Sequence, residues 1–305
     1  MRVLLIVNAS ASSVTPRTRV VIAKALSADH TVDVAETSRR GHASRLAQGA
    51  AAAGVDVVLV LGGDGTLNEA ANGLAGSSTA LGVLPGGSTN VFARTIGCAN
   101  DPIEATGQLL AALSRRSVHR VGLGCANGRY FLFHVGMGFD AAVVEQVERR
   151  SHLKRYAGHP LFVYAAFATW FRHFDRSRPR FSVEIPGRRV VDDAYLGICL
   201  NTNPYTYLGN RPLDVAPDAG LDVPLAMVTL RTMRAVSLLS VVGGALGFGR
   251  PVRDHRGVDY AVGQSSITVE GYGPFPYQVD GDFLGEVERI ELRHEPAVLD
   301  LVVPS

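Results

Sequence analysis

Two glycine-rich loops and one acidic turn hold the residue types best suited to chemistry. The first loop is Gly62-Gly63-Asp64-Gly65-Thr66-Leu67-Asn68-Glu69, directly after the apolar run Val55–Leu61. Glycines at such a place allow a tight turn and let backbone amides approach phosphate oxygens closely. Thr66 and Glu69 stand at capping-box spacing, which predicts a helix from Leu67. A helix N-terminus aimed at the loop is an anion seat. Asp64 sits in the turn with no local partner evident in the sequence, so it is a candidate for chemistry. The Gly-Lys-Ser/Thr ending of a P-loop is missing. The second loop is Pro85-Gly86-Gly87-Ser88-Thr89-Asn90, again straight after a strand-like run, Leu81–Leu84. Ser88 or Thr89 can cap the helix that follows, and their hydroxyls can hold phosphate oxygens. The plain alternative for each loop is a helix-capping turn. Two such loops at neighbouring strand ends make a cleft of the kind in which open α/β sheets bind ligands. The acidic turn is Val279-Asp280-Gly281-Asp282. Asp280-Gly281 is a strong two-residue hairpin signal, which gives Asp280 a structural role. Asp282 begins the return strand, where a carboxylate has no local task.

The elements that must position these residues fall into two regions. Over the first 120 residues strand-like and helix-like pieces alternate: Val3–Val7, Arg17–Ala28, Thr31–Val34, Ala43–Ala53, Val55–Leu61, Leu67–Leu74, Ala80–Leu84 and Ile103–Ser114. Alternating β and α predicts a parallel, layered sheet, and the continuous apolar run before Gly62 suits a strand covered on both faces. Two further loops end strands here, Asn8-Ala9-Ser10-Ala11-Ser12 and Thr37 to His42, and both can line the same cleft. From about Val118 short β-rich runs take over: Val118–Leu123, Tyr130–Val135, Phe181–Ile185, Tyr195–Leu200, Val223–Thr229, Ser266–Glu270, Tyr277–Val279 and Ile290–Arg293. Helical stretches near Ala141–Glu148 and Pro160–Phe174 interrupt them. The expectation is α/β in class: a layered α/β domain over 1–120, a mostly antiparallel domain over 121–296, and a return of 297–305 to the first.

Composition excludes several alternatives. Of 305 residues 47% are apolar and 19% charged, enough to bury a core and unlike a disordered chain. The formal net charge of +2 gives no global pull toward nucleic acid. Cys98, Cys125 and Cys199 are odd in number and far apart, so neither disulfides nor zinc is expected, in keeping with a reducing cytoplasm. Val3–Val7 is too short for a signal sequence. Leu161–Phe171 is too short to span a bilayer, and Ala235–Phe248 is interrupted by Ser and Gly. His42, His134, His152, His159 and His173 show no zinc-ligand spacing and read as surface or core residues.

The motifs, taken together and in order, resemble the catalytic domain shared by diacylglycerol kinases, sphingosine kinases and soluble bacterial lipid kinases. Gly62–Glu69 and Pro85–Asn90 carry the resemblance most specifically. Asn8 with its small-residue loop is similar to that family's first ATP loop, Gly136-Met137-Gly138-Phe139-Asp140-Ala141 to its Gly-x-Gly-Phe-Asp segment, and Val279–Asp282 to its Val-Asp-Gly-Glu motif. The resemblance runs from about residue 3 to 303. It implies a nucleotide-binding domain like that of NAD kinase and phosphofructokinase, followed by a β-sandwich domain with the active site between them. It also implies an ATP- and Mg²⁺-dependent lipid kinase acting on diacylglycerol. A kinase for another lipid alcohol, an NAD or sugar kinase, and a catalytically weak lipid- or nucleotide-binding regulator are the other readings. By the resemblance ATP contacts Asn8, Thr37, the loop of Gly63, Asp64, Gly65, Thr66, Leu67, Asn68 and Glu69, and Ser88. Asp64 serves catalysis or holds Mg²⁺, and Asp282 is the general base, with Asp where the family has Glu. A second departure is Pro217-Asp218-Ala219-Gly220-Leu221-Asp222-Val223-Pro224, where Gly220 and Val223 replace the two acids of the family's structural Mg²⁺ loop. That metal site is expected to be absent or remodelled.

Residues 149–180 concentrate basic charge: Arg149, Arg150, Lys154, Arg155, Arg172, Arg176, Arg178 and Arg180 against Asp175 alone. Between them Tyr164, Phe167, Phe171 and Phe174 form an aromatic stripe at helical spacing, with Pro160 suited to a helix start. One reading is a helix dipping into an anionic membrane surface, peripheral and cytoplasmic. The other is a core helix with solvated flanks. No nucleic-acid motif accompanies the charges. The sequence leaves the oligomeric state open, a homodimer included.

Overall fold

The computed structural model describes residues 1–149, 165–166 and 168–304. In chain order the elements are β1 (Arg2–Val7), α1 (Pro16–Ser27), β2 (Thr31–Glu36), α2 (His42–Ala52), β3 (Val57–Gly62), α3 (Asp64–Leu74), β4 (Ala80–Pro85), α4 (Val91–Thr95), α5 (Pro102–Ser114), β5 (Val118–Ala126), β6 (Arg129–Phe131), β7 (His134–Gly138), α6 (Phe139–Glu148), β8 (Phe181–Glu184), β9 (Val191–Ala194), β10 (Leu196–Leu200), β11 (Thr206–Leu208), β12 (Arg211–Leu213), β13 (Leu225–Leu230), α7 (Ala235–Ala245), β14 (Val258–Gln264), β15 (Ser266–Val279) and β16 (Asp282–Val302). The chain forms two compact units, Met1–Leu123 with Pro296–Ser305, and Gly124–Glu295. It leaves the first unit within β5 and re-enters it within β16.

In the first unit β2, β1, β3 and β4 lie side by side in that order, all parallel, and Leu301 pairs with Leu81 on the far edge of β4. Every residue of β3 and β4 is buried because both faces of the sheet are covered. Leu59 and Leu61 join Ile22 and Leu26 of α1 and Leu109 and Leu113 of α5 in one core. Helices α2 and α3 pack closely through small residues. A Cβ on Gly73 would stand 2.4 Å from the Ser44 carbonyl and 2.9 Å from the Ala47 methyl. The strand order places the topological switch between β1 and β3, because β2 lies outside β1 while β3 and β4 lie on its other side. Ligands of such sheets bind beyond the strand C-termini at that point.

The second unit is antiparallel. Strands β14, β13, β10, β7 and β15 are neighbours in that order, and β8 and β9 extend from β15. Strand β15 is broken by an irregularity between Glu270 and Phe275. Its first half pairs with β8 and its second with β7, and side chains from both regions meet in one core: Phe181, Val183, Ile267 and Val269 with Val135, Met137, Cys199 and Met227. The opposite face of β10 and β13, with Ile198, Leu200 and Val228, is covered by Tyr205, Val215, Ala245 and Val252. Burial drives the Cys199 thiol well above its ordinary range, which makes it an inert apolar filler.

The aromatic stripe resolves in part. Tyr164, Phe167 and the side chain of Phe171 lie outside the described residues, as do Arg150, His152, Lys154, Arg155, His159, Pro160 and the side chain of His173. Of the remainder, Trp170 is buried, and Trp170 and Phe174 both meet Phe139 edge-on, at 6.0 and 5.4 Å between ring centroids. The described part of the segment therefore belongs to a core. Four of its described cations are engaged locally: Arg149 with Glu145, Arg178 with Asp175, Arg176 over the Trp170 ring and Arg180 over the Phe174 ring, whereas Arg172 is exposed.

Candidate active site

The loops after β1, β3 and β4 are stitched into one platform. Asn8 donates from Nδ2 to Thr66 Oγ1 at 2.9 Å, tying the β1 loop to α3 across the switch point. Its Oδ1 accepts from the Ser10 amide at 3.0 Å. Ser13 donates its amide to the Gly86 carbonyl at 2.9 Å. Thr37, just after β2, donates its amide to the Val7 carbonyl and so stands beside the end of β1. The two glycine loops touch backbone to backbone. A Cβ on Gly87 would lie 2.8 Å from Gly63 Cα, and one on Gly86 2.9 Å from Gly62 N. Neither backbone can yield, so the glycines are required by close approach.

The acids of the first loop have structural work that the sequence did not disclose. Helix α3 begins at Asp64, not at Leu67, with Gly63 as its N-cap and no side-chain cap. Asp64 is not without a partner. Its Oδ2 accepts the Val91 amide at 3.0 Å and its Oδ1 the Phe92 amide at 3.1 Å, so it caps α4. Glu69 makes no capping box with Thr66. It accepts the amides of Gly41 at 2.7 Å and Ala43 at 3.1 Å, and so caps α2. Each carboxylate of the motif thus anchors the N-terminus of another helix, where the macrodipole favours negative charge. Ser88 and Thr89 are not the caps of α4. Asn90 occupies that position with φ 51°, a left-handed conformation that Asn tolerates. Asn90 also accepts the Gly87 amide at 2.8 Å and donates to the Gly87 carbonyl at 2.9 Å, which pins the second loop on itself. Leu67 and Asn68 are buried, whereas Gly63, Asp64, Gly65 and Thr66 are half-buried and Ser88 is exposed. The first-turn amides of α3 have no intrahelical acceptor by geometry and no side-chain cap. That makes an anion seat framed by glycine backbone, and its residues fit a polyphosphate.

In the second unit, Asp280 and Gly281 form the two-residue turn between β15 and β16, both with positive φ, and Val279 pairs with Asp282. Asp280 is buried. Its carboxylate accepts the amides of Leu132, Phe133 and His134 at 2.7, 3.0 and 3.0 Å, so its role is to hold the turn. A second chain of bonds reaches the same turn. Tyr205 donates to Asp140 Oδ1 at 2.6 Å, Gln278 donates to Asp140 Oδ2 at 2.9 Å, and Gln278 Oε1 accepts the Gly281 amide at 2.8 Å. Gly136 must be glycine because its Cβ would lie 1.6 Å from an Asp140 oxygen. Burial raises the Asp140 carboxyl above its ordinary range, and the bonds from Gln278 and Tyr205 partly offset that. Asp282, next in the chain, is partly exposed at 21%, with Arg129 Nη2 3.3 Å from its Oδ2. Sequence reading missed Asn90, Arg129, Tyr205 and Gln278. Only Asn90, as an Asn following a Gly-Gly turn, left a signal. Of the acids near the altered loop, Asp218 engages Arg253 at 3.0 Å and Tyr260 at 2.8 Å, and Asp214 engages Asn203 at 2.9 Å. No group of three or more His, Cys, Asp or Glu poised for a metal occurs among the described residues.

Comparison with known proteins converges on one family. Residues 2–122 match the model of the diacylglycerol kinase catalytic domain. The "Probable lipid kinase YegS-like" of Chromohalobacter salexigens is 34% identical over 158 residues, 50% of this chain and 49% of that protein. The "Diacylglycerol kinase" of Bacillus subtilis is 37% identical over 105 residues, 33% of each chain. The matches thus span about half, or less, of these relatives' length. A diacylglycerol kinase structure from Bacillus anthracis str. Sterne superposes with TM-score 0.72 at 22% identity, covering 99% of this chain and 96% of that one. An NAD kinase from Archaeoglobus fulgidus in complex with ATP gives 0.51 at 12%, covering 100% and 94%. These likenesses define the fold as an NAD kinase-like α/β region joined to a β-rich region. Residues 2–122 are thus similar to the diacylglycerol kinase catalytic domain, and the whole chain shares the fold of the solved structures.

Proposed function

We propose that this protein transfers the γ-phosphoryl group of ATP to a lipid hydroxyl, with diacylglycerol the favoured acceptor and phosphatidic acid the product. The observation that carries this reading is the braced platform of glycine loops at the switch point, beside an uncapped helix N-terminus. ATP phosphates would take the first-turn amides of α3 and the Ser88 hydroxyl, with Asn8, Thr37 and the Gly63–Glu69 loop around the nucleotide. Mg²⁺ bound with ATP would neutralise phosphate charge, with Asp64 as the acid of the loop offered to it. The chain's own contribution is positioning. Asp64 and Glu69 fix helices α4 and α2, and Asn90 fixes the second loop. On the acceptor side Asp282 takes the proton of the lipid hydroxyl as that oxygen bonds to phosphorus. The Asp280 turn and the Tyr205–Asp140–Gln278 chain hold the hairpin, and Arg129 orients the carboxylate.

The test is transfer of label from γ-labelled ATP to diacylglycerol dispersed in detergent micelles. Wild type should yield labelled phosphatidic acid. Asp282→Asn should lose about 10²- to 10⁴-fold in kcat, the range of a general base, with ATP affinity unchanged. No labelled product from diacylglycerol, sphingoid or glycolipid acceptors would sink the kinase reading. Full activity in Asp282→Asn would remove the base assignment alone.

A further inference from the structure

Among the described residues of the second unit, four of the six exposed large hydrophobics lie on α7 and the turn after it. Residues Ala235–Gly249 carry no charged side chain. One side of this segment is committed to the interior: Leu238 and Val241 pack on buried clusters and Ala245 is buried. The other side faces solvent, with Val236 81%, Leu239 64%, Val242 40% and Phe248 59% exposed. Most large side chains on this outer face are therefore aliphatic or aromatic, which is unusual for a helix bathed only in water.

The charges that flank the segment in sequence are mostly positive. Arg231 and Arg234 precede it and Arg250, Arg253 and Arg256 follow, with Asp254 the one acid in the same span. Arg231 is held by Asp193 and Arg253 by Asp218. Arg234 and Arg250 are exposed and, among the described residues, in no ion pair. Arg211, from β12, lays its guanidinium 4.5 Å from the centre of the Phe248 ring. An apolar helix face bounded at both ends by arginines has the charge complement of an anionic bilayer surface. A second copy of the chain docked through the same face about a two-fold axis would bring arginine against arginine.

We infer that α7 and Phe248 form the docking surface for an anionic lipid bilayer. Val236, Leu239, Val242 and Phe248 enter the boundary between headgroups and acyl chains, and Arg211, Arg234 and Arg250 meet lipid phosphates. This deepens the lipid-phosphorylating reading and rests on it for its purpose. The surface is distinct from the described part of residues 149–180, whose Trp170 and Phe174 pack on Phe139.

Cosedimentation of the full chain with vesicles tests it. Phosphatidylglycerol-containing vesicles are compared with vesicles of phosphatidylcholine alone. Wild type should bind the anionic vesicles at least tenfold more tightly. Leu239→Ser/Phe248→Ser should lose at least tenfold, and Arg234→Gln/Arg250→Gln about 25-fold, roughly fivefold per arginine. Arg176→Gln/Arg178→Gln should bind as wild type does. Thermal melts of all variants should match wild type, since the altered side chains are exposed. Vesicle binding unchanged in both α7 variants would overturn the inference. So would an equal loss in Arg176→Gln/Arg178→Gln. A wild-type dimer that becomes monomeric in Leu239→Ser/Phe248→Ser, with vesicle binding intact, would reassign the face to contact between copies. Phosphorylation of short-chain diacylglycerol in free solution separates the two ideas. It should persist in the α7 variants. Its absence from wild type, with vesicle binding still dependent on α7, would fail the kinase reading and leave the surface standing.

Discussion

Replacing Asp64 by Asn should loosen α4 as well as impair any reaction, and the two effects can be measured apart. In the wild type, both carboxylate oxygens accept an amide from the first turn of α4, at 3.0 and 3.1 Å. A hydrogen bond to a charged acceptor contributes about 1.5–3 kcal/mol. Asn keeps one acceptor and turns an N–H₂ group toward the other amide, which loses one bond and sets two donors face to face. Because Asp64 is only half-buried, we take the lower part of that range, about 2 kcal/mol, which corresponds to about 30-fold in an opening equilibrium. Hydrogen exchange should therefore show about 30-fold less protection at the Val91 and Phe92 amides. The amides of Leu59 and Val60 in β3 serve as an internal reference that should not move. A metal-binding or catalytic acid without a capping role predicts the reverse, with activity lost and protection unchanged or increased. That pattern would refute the structural role assigned to Asp64. If protection falls as calculated, loss of activity in Asp64→Asn is no longer proof of metal binding, and Asp282 becomes the cleaner probe of chemistry.

Two further outcomes follow from local geometry. Gly87→Ala should drive the two glycine loops apart, because its Cβ would meet Gly63 Cα at 2.8 Å and Asn90 Oδ1 at 3.1 Å. We expect about 1–3 kcal/mol of destabilisation by urea unfolding and at least tenfold weaker ATP binding by calorimetry. Gly107→Ala, in α5 with nothing within 4 Å of its Cβ, should instead stabilise by about 0.5–1 kcal/mol. His134 gives a pH prediction. Burial lowers its imidazole to about 3 in the folded chain, against 6.5 for an ordinary histidine, and Nδ1 finds no hydrogen-bond partner among the described residues. The folded state favours the neutral ring, so its stabilising effect is complete above pH 6.5 and is lost as pH falls toward 3. At pH 5 the loss should be about 2 kcal/mol, and His134→Phe should flatten that part of the stability–pH curve, provided the ring space between Phe133 and Tyr205 is filled. An identical slope in both proteins would count against the argument.

The first unit was legible because its signals were local. Apolar runs ending in Gly-Gly turns gave β3 and β4, and each helix expected in that region is present within three residues of its expected start. The error at α3 was one of partner, not of place. Thr66 and Glu69 satisfy the capping-box spacing, yet Glu69 reaches α2 and the loop's own helix starts at Asp64. Long-range pairing of that kind leaves no trace in spacing. Helix α4 was expected after the second loop but with Ser88 or Thr89 as its cap, because five residues after an Asn in a left-handed turn carry no periodic pattern to fix its start. In the second unit Ser266–Glu270 and Tyr277–Val279 read as two strands but form one bent strand, since Gly271, Gly273 and Pro274 mask the continuity. Strand β14 and the paired β11 and β12 went unread because short edge strands with polar residues show little alternation. Helix α7 was noticed only as an apolar stretch, since a segment with no charges has no polar face to reveal its period. The place of Asp282 at the start of the return strand was legible from the turn signal beside it. Arg129, 153 positions away in sequence, was not.

The return of Pro296–Ser305 to the first unit has a consequence for biosynthesis. The edge of β4 meets Leu301 only after residues 124–295 have left the ribosome. At about 5–20 residues per second that interval is on the order of 10–30 s. During it the nascent sheet exposes one side of an apolar strand whose partner does not yet exist, and unpaired strand edges invite association with other chains. The second unit, contiguous in sequence, can complete itself first. The loops of the first unit are all synthesised early, yet the sheet that carries them is sealed last.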